Sequence, residues 1–460
     1  MVKLRHINKS ICSLTINDEI IIDMSAIETH VVQHFEKAFT SDPSIVNTGL
    51  VERLITCMVS EEENSDLLAL PSYQEIHDTV MCMDGFSAPG PYGFNGSFYK
   101  FCWPIVDSDV VMVVRSFFEN GYIMPHFNSN VITLIPKLQE SERVYDYKPI
   151  ALANFSFKII TKILANRLGR VVAKIVSPNQ SAFIVGHTIL DPITQTSKCV
   201  NLLNNSCKYG NVEIKFDISK AFDTLDWCFL LRVLETFGFH PTFTRYVEVI
   251  LQSAYLSVNV NGKACGFFTC SRGVRQGDPL SPLLFCLAEE VLSRGLADLA
   301  TRNKIKCFKA PGGVTLPTHV LFADDVMIFT QGRSKYLSNL MSFMEEYAQN
   351  SGQVINTAKS QLFLGKSAIP RQMRITNILG INVSVFPFTY LGVPIFVGRP
   401  KSAFLLPIAD RIKAKLSSGK GRLLSQAGRL QLIESVIQSQ LLYSFQVYEW
   451  SQELLKKVQR

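Results

Sequence analysis

The stretch Leu321-Phe322-Ala323-Asp324-Asp325-Val326-Met327-Ile328-Phe329 sets two adjacent carboxylates between apolar runs, with His319-Val320 ahead and Thr330 behind. Each flank reads as a short buried strand, so the acidic pair falls in the tight turn of a hairpin. Any fold for this chain must therefore contain a β-ribbon buried along its length and charged at its tip. Two like charges side by side repel unless a cation or a base relieves them. A hard divalent ion bound through oxygen would do that. A solvated turn is the plainer reading of Asp-Asp alone, so the pair gains meaning only from what other segments bring to it.

A chain of 460 residues exceeds one ordinary domain and suggests roughly two to four lobes. Its composition, 47% hydrophobic and 18% charged, is that of a globular protein. The net charge of +7 is unevenly spread: from Arg399 to Arg460 there are eleven Lys/Arg against four Asp/Glu. That end suits a polyanion, and equally a solvated, salt-bridged helix. Eleven scattered cysteines lack the spacing of a zinc site or a disulfide framework and favour a reducing compartment. Met1 to Ser10 has no apolar core, so it is not a secretory signal, and the run Val110 to Val114 is too short to span a bilayer. A soluble, intracellular protein is expected.

Residues 1–80 read as a helical extension, with Ile27, Val31, Val32, Phe35 and Phe39 at helical spacing before a turn at Asp42-Pro43-Ser44. No chemistry is visible there. Val131 to Lys137 is a strand ending in a cation, and a second cation follows at Lys148. Two lysines on adjacent strand ends either grip a triphosphate as point charges or are simply solvated. Residues 155–175 form a basic amphipathic helix, broken at Ser177-Pro178-Asn179-Gln180. Val212 to Asp217 is a strand whose last residue is an acid, followed by a turn through Asp223, with Asp223 or Thr224 expected to cap the next helix. Tyr255 to Thr269 alternates about Asn261-Gly262, a strong hairpin signal. The loop Arg272 to Pro282 holds Gln276 between Arg275 and Asp278, suited to hydrogen-bonding a base or sugar, and Ser281-Pro282 can open the following helix. Ser334 to Gln349 reads as a helix and Gly352 to Gly365 as a strand.

Asp217 and Asp324 each end an apolar strand. If those strands are neighbours, three carboxylates converge and can hold two divalent ions about 3.5–4 Å apart, the arrangement for in-line nucleotidyl displacement. Mg²⁺ suits such a site because it needs only one or two carboxylates plus substrate phosphates.

These segments also resemble a known family. Phe216-Asp217-Ile218-Ser219-Lys220-Ala221-Phe222-Asp223, Gln276-Gly277-Asp278-Pro279-Leu280-Ser281-Pro282 and Phe322-Ala323-Asp324-Asp325 occur in the order and spacing of reverse transcriptases, and the match is closest to plant non-LTR retrotransposons of the long interspersed type. It extends to Ala88-Pro89-Gly90-Pro91, Leu134-Ile135-Pro136-Lys137, Ser177 to Phe183, Tyr390-Leu391-Gly392 and Ala427-Gly428-Arg429. The resemblance implies an α+β, right-hand polymerase fold: a helical extension at 1–80, fingers at 81–207, a palm with an antiparallel sheet at 208–396 carrying a fingers-like insertion near 230–272, and a helical thumb at 397–460. It implies an RNA-directed DNA polymerase that takes an RNA template, a DNA primer and deoxynucleoside triphosphates, with two Mg²⁺ ions or Mn²⁺ in their place. Asp217, Asp324 and Asp325 would be the metal ligands and Phe222 the residue that blocks a ribose 2′-OH. Gln276 and Gly277 would line the nascent base pair, Lys137 and Lys148 the triphosphate, and Lys359 would protonate pyrophosphate. Tyr390-Leu391-Gly392 would grip the primer end, and the basic helices after Pro400 would hold the duplex backbone.

Four positions depart from the family pattern. Tyr92 stands where Asp is usual, Lys148 and His187 where Arg is usual, and Gly419 where Trp is usual. The chain also starts after where the family's endonuclease would lie and stops soon after the thumb. The alternative expectation is therefore a catalytically decayed element, at most a nucleic-acid-binding protein.

Overall fold

A computed structural model describes residues 10–41, 45–137, 141–310, 316–417 and 425–459. The turn expected at Asp42-Pro43-Ser44 and the Gly419 position lie outside them. The described residues open with a hairpin, β1 (Leu14–Ile16) and β2 (Glu19–Ile21), where only helix was expected. Its two loop residues, Asn17 and Asp18, are left-handed (φ 52° and 65°), as a type I′ turn requires. The helix Met24–Ala38 follows, its first turn capped by the Asp23 carboxylate accepting from Ala26 N–H, and it buries Ile27, Val31 and Phe35.

Among the described residues ten further strands form two four-stranded sheets and a ribbon. They are β3 (Ser129–Pro136), β4 (Tyr147–Ala153), β5 (Asn211–Asp217), β6 (Tyr255–Val260), β7 (Lys263–Thr269), β8 (His319–Phe322), β9 (Asp325–Gln331), β10 (Gln361–Leu364), β11 (Phe388–Tyr390) and β12 (Val393–Ile395). One sheet has the order β4-β3-β6-β7, with β3 and β6 parallel. The β6–β7 hairpin turns at Asn261-Gly262, both left-handed. The N-terminal helix closes this sheet's face, where Ile27, Val31 and Phe35 share a core with Ile132, Leu256 and Val258.

The other sheet, β10-β5-β9-β8, is antiparallel throughout and is the centre of the molecule. Alternation along β9 explains why both faces are dry. Val326 and Ile328 join the main core with the helices Phe155–Ile175, Trp227–Phe237, Ser281–Thr301 and Ser334–Ser351. Met327 and Phe329 face the helix Leu190–Leu202 and the β11–β12 ribbon. At the strand ends, Asp217 of β5 is paired directly with Asp325 of β9. After Ser402 the described chain is helical, and Ser439–Val447 docks on the ribbon turn through Tyr443 hydroxyl donating to Leu391 O (2.5 Å).

Two local expectations change. The cap of Trp227–Phe237 is Asp226, whose carboxylate accepts from Phe229 N–H at 2.8 Å, not Asp223 or Thr224. The strand expected over Gly352–Gly365 is confined to Gln361–Leu364, because Val354 and Asn356 instead bond the backbone of Ser219 and Asp217.

Candidate active site

The acidic turn is tight: Phe322 pairs with Asp325, leaving Ala323 and Asp324 as the loop. Ala323 is left-handed (φ 52°), which costs a residue with a Cβ roughly 1–2 kcal/mol. What holds it there is Gln180, only 1% exposed, whose Oε1 accepts from Ala323 N–H and from Ala182 N–H, both at 3.0 Å. Leu321 N–H donates to Asn179 O (2.8 Å) and Ser181 N–H to Leu321 O (3.0 Å). The Ser177–Phe183 segment, in the sequence a helix breaker and part of the family resemblance with no role attached, thus runs along the β8 edge as a splint for the turn. On the other side, Asp217 N–H donates to Ser360 Oγ (3.1 Å) and Asp217 O accepts from Asn356 N–H (2.8 Å).

Asp217 and Asp324 open into a cleft of about 660 Å³ whose lining also includes Lys137, Lys148, Phe222, Gln276, Gly277 and Lys359. Asp325 does not line it. Its Oδ1 lies 3.1 Å from Lys215 Nζ, and that ammonium sits over the Tyr390 ring at 5.8 Å. Burial by the cleft walls raises the Asp324 pKa, Asp325 and Asp217 push it further, and Lys148 opposes. Asp217 is also raised by burial, with Lys359 and Lys215 pulling it back and Asp325 adding to the rise. Among the described residues no three His, Cys, Asp or Glu side chains could hold a metal ion by themselves. Two crowded, partly desolvated carboxylates nevertheless fit a magnesium-type ion, which completes its shell with water and substrate phosphates.

The cationic wall comes from the end of β3 and from β4. Lys137 Nζ donates to Tyr145 O (2.8 Å), and Lys148 pairs across from Ile135. Lys220, in the left-handed turn after Asp217 (φ 48°), adds a third ammonium, from a motif position to which the sequence attaches no role. Phe222 lies flat on Phe285, with ring centroids 4.2 Å apart and planes 10° apart. Gln276 O accepts from Ala151 N–H (3.2 Å), and a Cβ on Gly277 (φ 112°) would come within 2.8 Å of Ala151 O, so this loop lies against β4. The neighbours of Gln276 are scaffold. Buried Arg275 donates to Asn128 Oδ1 (3.0 Å) and Ile250 O (3.1 Å), and Asp278 Oδ1 accepts from Leu280 N–H (2.9 Å). The departures Tyr92 and His187 have partners too. Tyr92 N–H donates to Asn154 Oδ1 (3.0 Å), and His187 Nδ1 lies 2.7 Å from Gln180 O.

The profile of the family "Reverse transcriptase (RNA-dependent DNA polymerase)" matches residues 135–395, more than half of the chain and all of the central sheet. The chain belongs to the reverse transcriptase family. Its two sheets and surrounding helices fit the right-hand polymerase-like fold of that family. Within it, the chain is a reverse transcriptase domain of the non-LTR retrotransposon kind. It is 26% identical over 454 residues to the transposon TX1 uncharacterized 149 kDa protein of Xenopus laevis, covering 95% of this chain and 33% of that protein. It is 28% identical over 251 residues to the retrovirus-related Pol polyprotein from the type-2 retrotransposable element R2DM of Drosophila melanogaster, covering 54% of this chain and 22% of that protein. A shorter stretch, 71 residues or 15% of the chain, is 42% identical to an uncharacterized mitochondrial protein of Arabidopsis thaliana, of which it covers 58%. The chain thus spans a third or less of the two transposon proteins. Among the described residues no helix is long and apolar enough to cross a membrane.

Proposed function

We propose that the chain is an RNA-directed DNA polymerase that adds deoxynucleotides to a primer 3′ end on an RNA template. The observation that carries this reading is the meeting of Asp217 and Asp324, 107 residues apart in sequence, on one cleft that Lys137 and Lys148 also line. Asp217 and Asp324 would hold divalent metal, with Asp325 beside them keyed by Lys215. Mg²⁺ or Mn²⁺ bound there, as a pair, supplies charge neutralisation and a more acidic primer hydroxyl.

The protein's own part is positioning. Lys137 and Lys148 bind the triphosphate as point charges. Phe222, backed by Phe285, stands where a 2′-OH would project. Gln276 and Gly277 lie under the nascent pair, and Lys359, on the Asp217 side of the cleft, carries a proton to pyrophosphate. The β11–β12 turn at Leu391-Gly392 meets the primer end, and the basic C-terminal helices meet the duplex backbone with salt-sensitive affinity. The same reading divides the chain into an extension to residue 80, fingers 81–207, palm 208–396 and thumb 397–460. The β6–β7 hairpin, from the palm's insertion near 230–272, completes the fingers sheet beside β3. The Arabidopsis thaliana likeness supports a plant element.

Extension of a labelled DNA primer on an RNA template with Mg²⁺ tests the reading. Deoxynucleotide-dependent product supports it, and no product from the wild-type chain returns the decayed-element alternative.

A further inference from the structure

Part of the cleft wall is supplied by the segment in which the sequence shows no chemistry. Helix Met24–Ala38 packs its Ile27–Val31–Phe35 stripe on the β6–β7 side of the first sheet, and His34, flanking that stripe, lines the cleft. His34 Nε2 lies 3.2 Å from Lys220 Nζ. The same imidazole stands edge-on to Tyr145, with centroids 4.7 Å apart and planes at 85°. Lys220 Nζ sits over the Tyr145 ring at 5.4 Å. Tyr145 in turn takes Lys137 Nζ on its carbonyl, so one residue joins both lysines. The helix is also fastened at its far end: Arg272 Nε donates to Ala38 O (2.9 Å), and Ser271 and Arg272 N–H both donate to Phe39 O (2.9 and 3.2 Å). His34 therefore stands on a fixed platform tied to the loop that carries Gln276.

An ammonium has three donors and no acceptor. In Lys220 one is engaged by the imidazole and the face of a ring takes another side, so the remaining direction is toward the cleft. The charges around it do not balance. Lys137 and Arg272 face it with the same sign, His30 lies on the same helix side as His34, and the acid that opposes them is Asp223, itself buried. Burial drives the His34 imidazole down to about 4, so it is the neutral acceptor for the lysine and not a further cation. A cluster of cations held apart, with less carboxylate than it needs, is completed by a polyanion. The cleft that Asp217 and Asp324 share is where that polyanion lies.

We propose that Lys220 is a third cation on the incoming triphosphate and that His34, from the N-terminal helix, is its positioning residue. The N-terminal segment is then a working part of the nucleotide site. The inference rests on the polymerase reading, and it also predicts binding in the absence of any reaction.

Two measurements on the full chain separate the cases. In steady-state primer extension, Lys220→Met, which keeps the stem on Tyr145, raises KM for deoxynucleotide roughly ten- to hundredfold, the span of a lost charge-assisted hydrogen bond, while kcat changes little. His34→Ala raises KM several-fold, His34→Gln restores it by returning an acceptor, and His34→Ala adds nothing once Lys220 is Met. In calorimetric titration with inorganic tripolyphosphate, the same variants weaken binding in the same order, with thermal melts confirming that each is folded. Unchanged KM and unchanged tripolyphosphate affinity in folded Lys220→Met overturn the proposal, as do independent, multiplying effects of the two substitutions. A wild-type chain that binds tripolyphosphate through Lys220 and His34 yet extends no primer upholds this inference and sinks the polymerase reading. A chain that neither binds nor extends sinks both.

Discussion

Substituting Gln180 by Met would isolate what holds the acidic turn in place. Gln180 Oε1 is the acceptor for both Ala323 N–H and Ala182 N–H, in a site 1% exposed, and its Nε2 has no partner among the described residues. Methionine nearly conserves the volume, so little of the effect comes from a cavity. Two backbone N–H groups would be left buried and unpaired, at about 1–3 kcal/mol each, or roughly 2–6 kcal/mol together if neither finds water. That is a large part of an ordinary stability of about 5–15 kcal/mol. With that side-chain support gone, the left-handed Ala323 relaxes and Asp324 moves with it. A displacement on the order of 1 Å is worth about a hundredfold in rate. Urea titration should therefore show the loss of stability, and primer extension at saturating nucleotide a matching fall in kcat with KM for nucleotide held. A Gln180→Met chain with wild-type stability and wild-type kcat would refute the splint and show that the turn holds its own geometry.

Other consequences follow from the same contacts. Asp325→Asn should cost less activity than Asp324→Asn, which should cost roughly 10²–10³-fold, because Asp325 is committed to Lys215 and Asp324 is open to the cleft. Phe222→Ala should let ribonucleotides be incorporated, and Phe285→Leu should do so more weakly by freeing the Phe222 ring it stacks on; the ratio of kcat/KM for deoxy- over ribonucleotide reads both. Glu289 is buried with its Oε1 accepting from the Tyr347 hydroxyl (3.1 Å), and burial, opposed by the Tyr347 and Gln353 hydrogen bonds and aided by Asp324, lifts its pKa from 4.5 to about 8. The folded chain thus keeps its proton where the unfolded chain loses it. Stability from this group is full below pH 4.5 and drains as pH rises toward 8, by roughly 1.4 kcal/mol per unit at most. Glu289→Gln should flatten that part of the urea-midpoint profile against pH, and an unchanged slope would show that the carboxyl is already ionised in the fold.

The strands that carry the acids were legible because their signals are local. Apolar runs ending in Asp217 and flanking Asp324-Asp325 fix strand, end and turn within a few residues, and all three strands lie where those runs place them. What joins the site is not local. Gln180 reaches Ala323 across 143 residues, Lys215 meets Asp325 across a strand register that no spacing reveals, and His34 meets Lys220 across 186. Arg275 and Asp278 looked like substrate contacts from their neighbours in sequence, but burial turns both into struts. The N-terminal hairpin did have a local signal, Asn17-Asp18 between short apolar pairs, which the helical spacing that follows it overshadowed.

Single-turnover incorporation of one deoxynucleotide onto a primer annealed to an RNA template, by wild-type and Asp324→Asn chains side by side in Mg²⁺, tests the central claim most directly. Asp217 and Asp324 working as one metal-dependent centre predict a one-nucleotide product from the wild-type chain that is reduced by two orders of magnitude or more, roughly, in folded Asp324→Asn. Equal rates from the two chains, or product that forms without divalent metal, would contradict it.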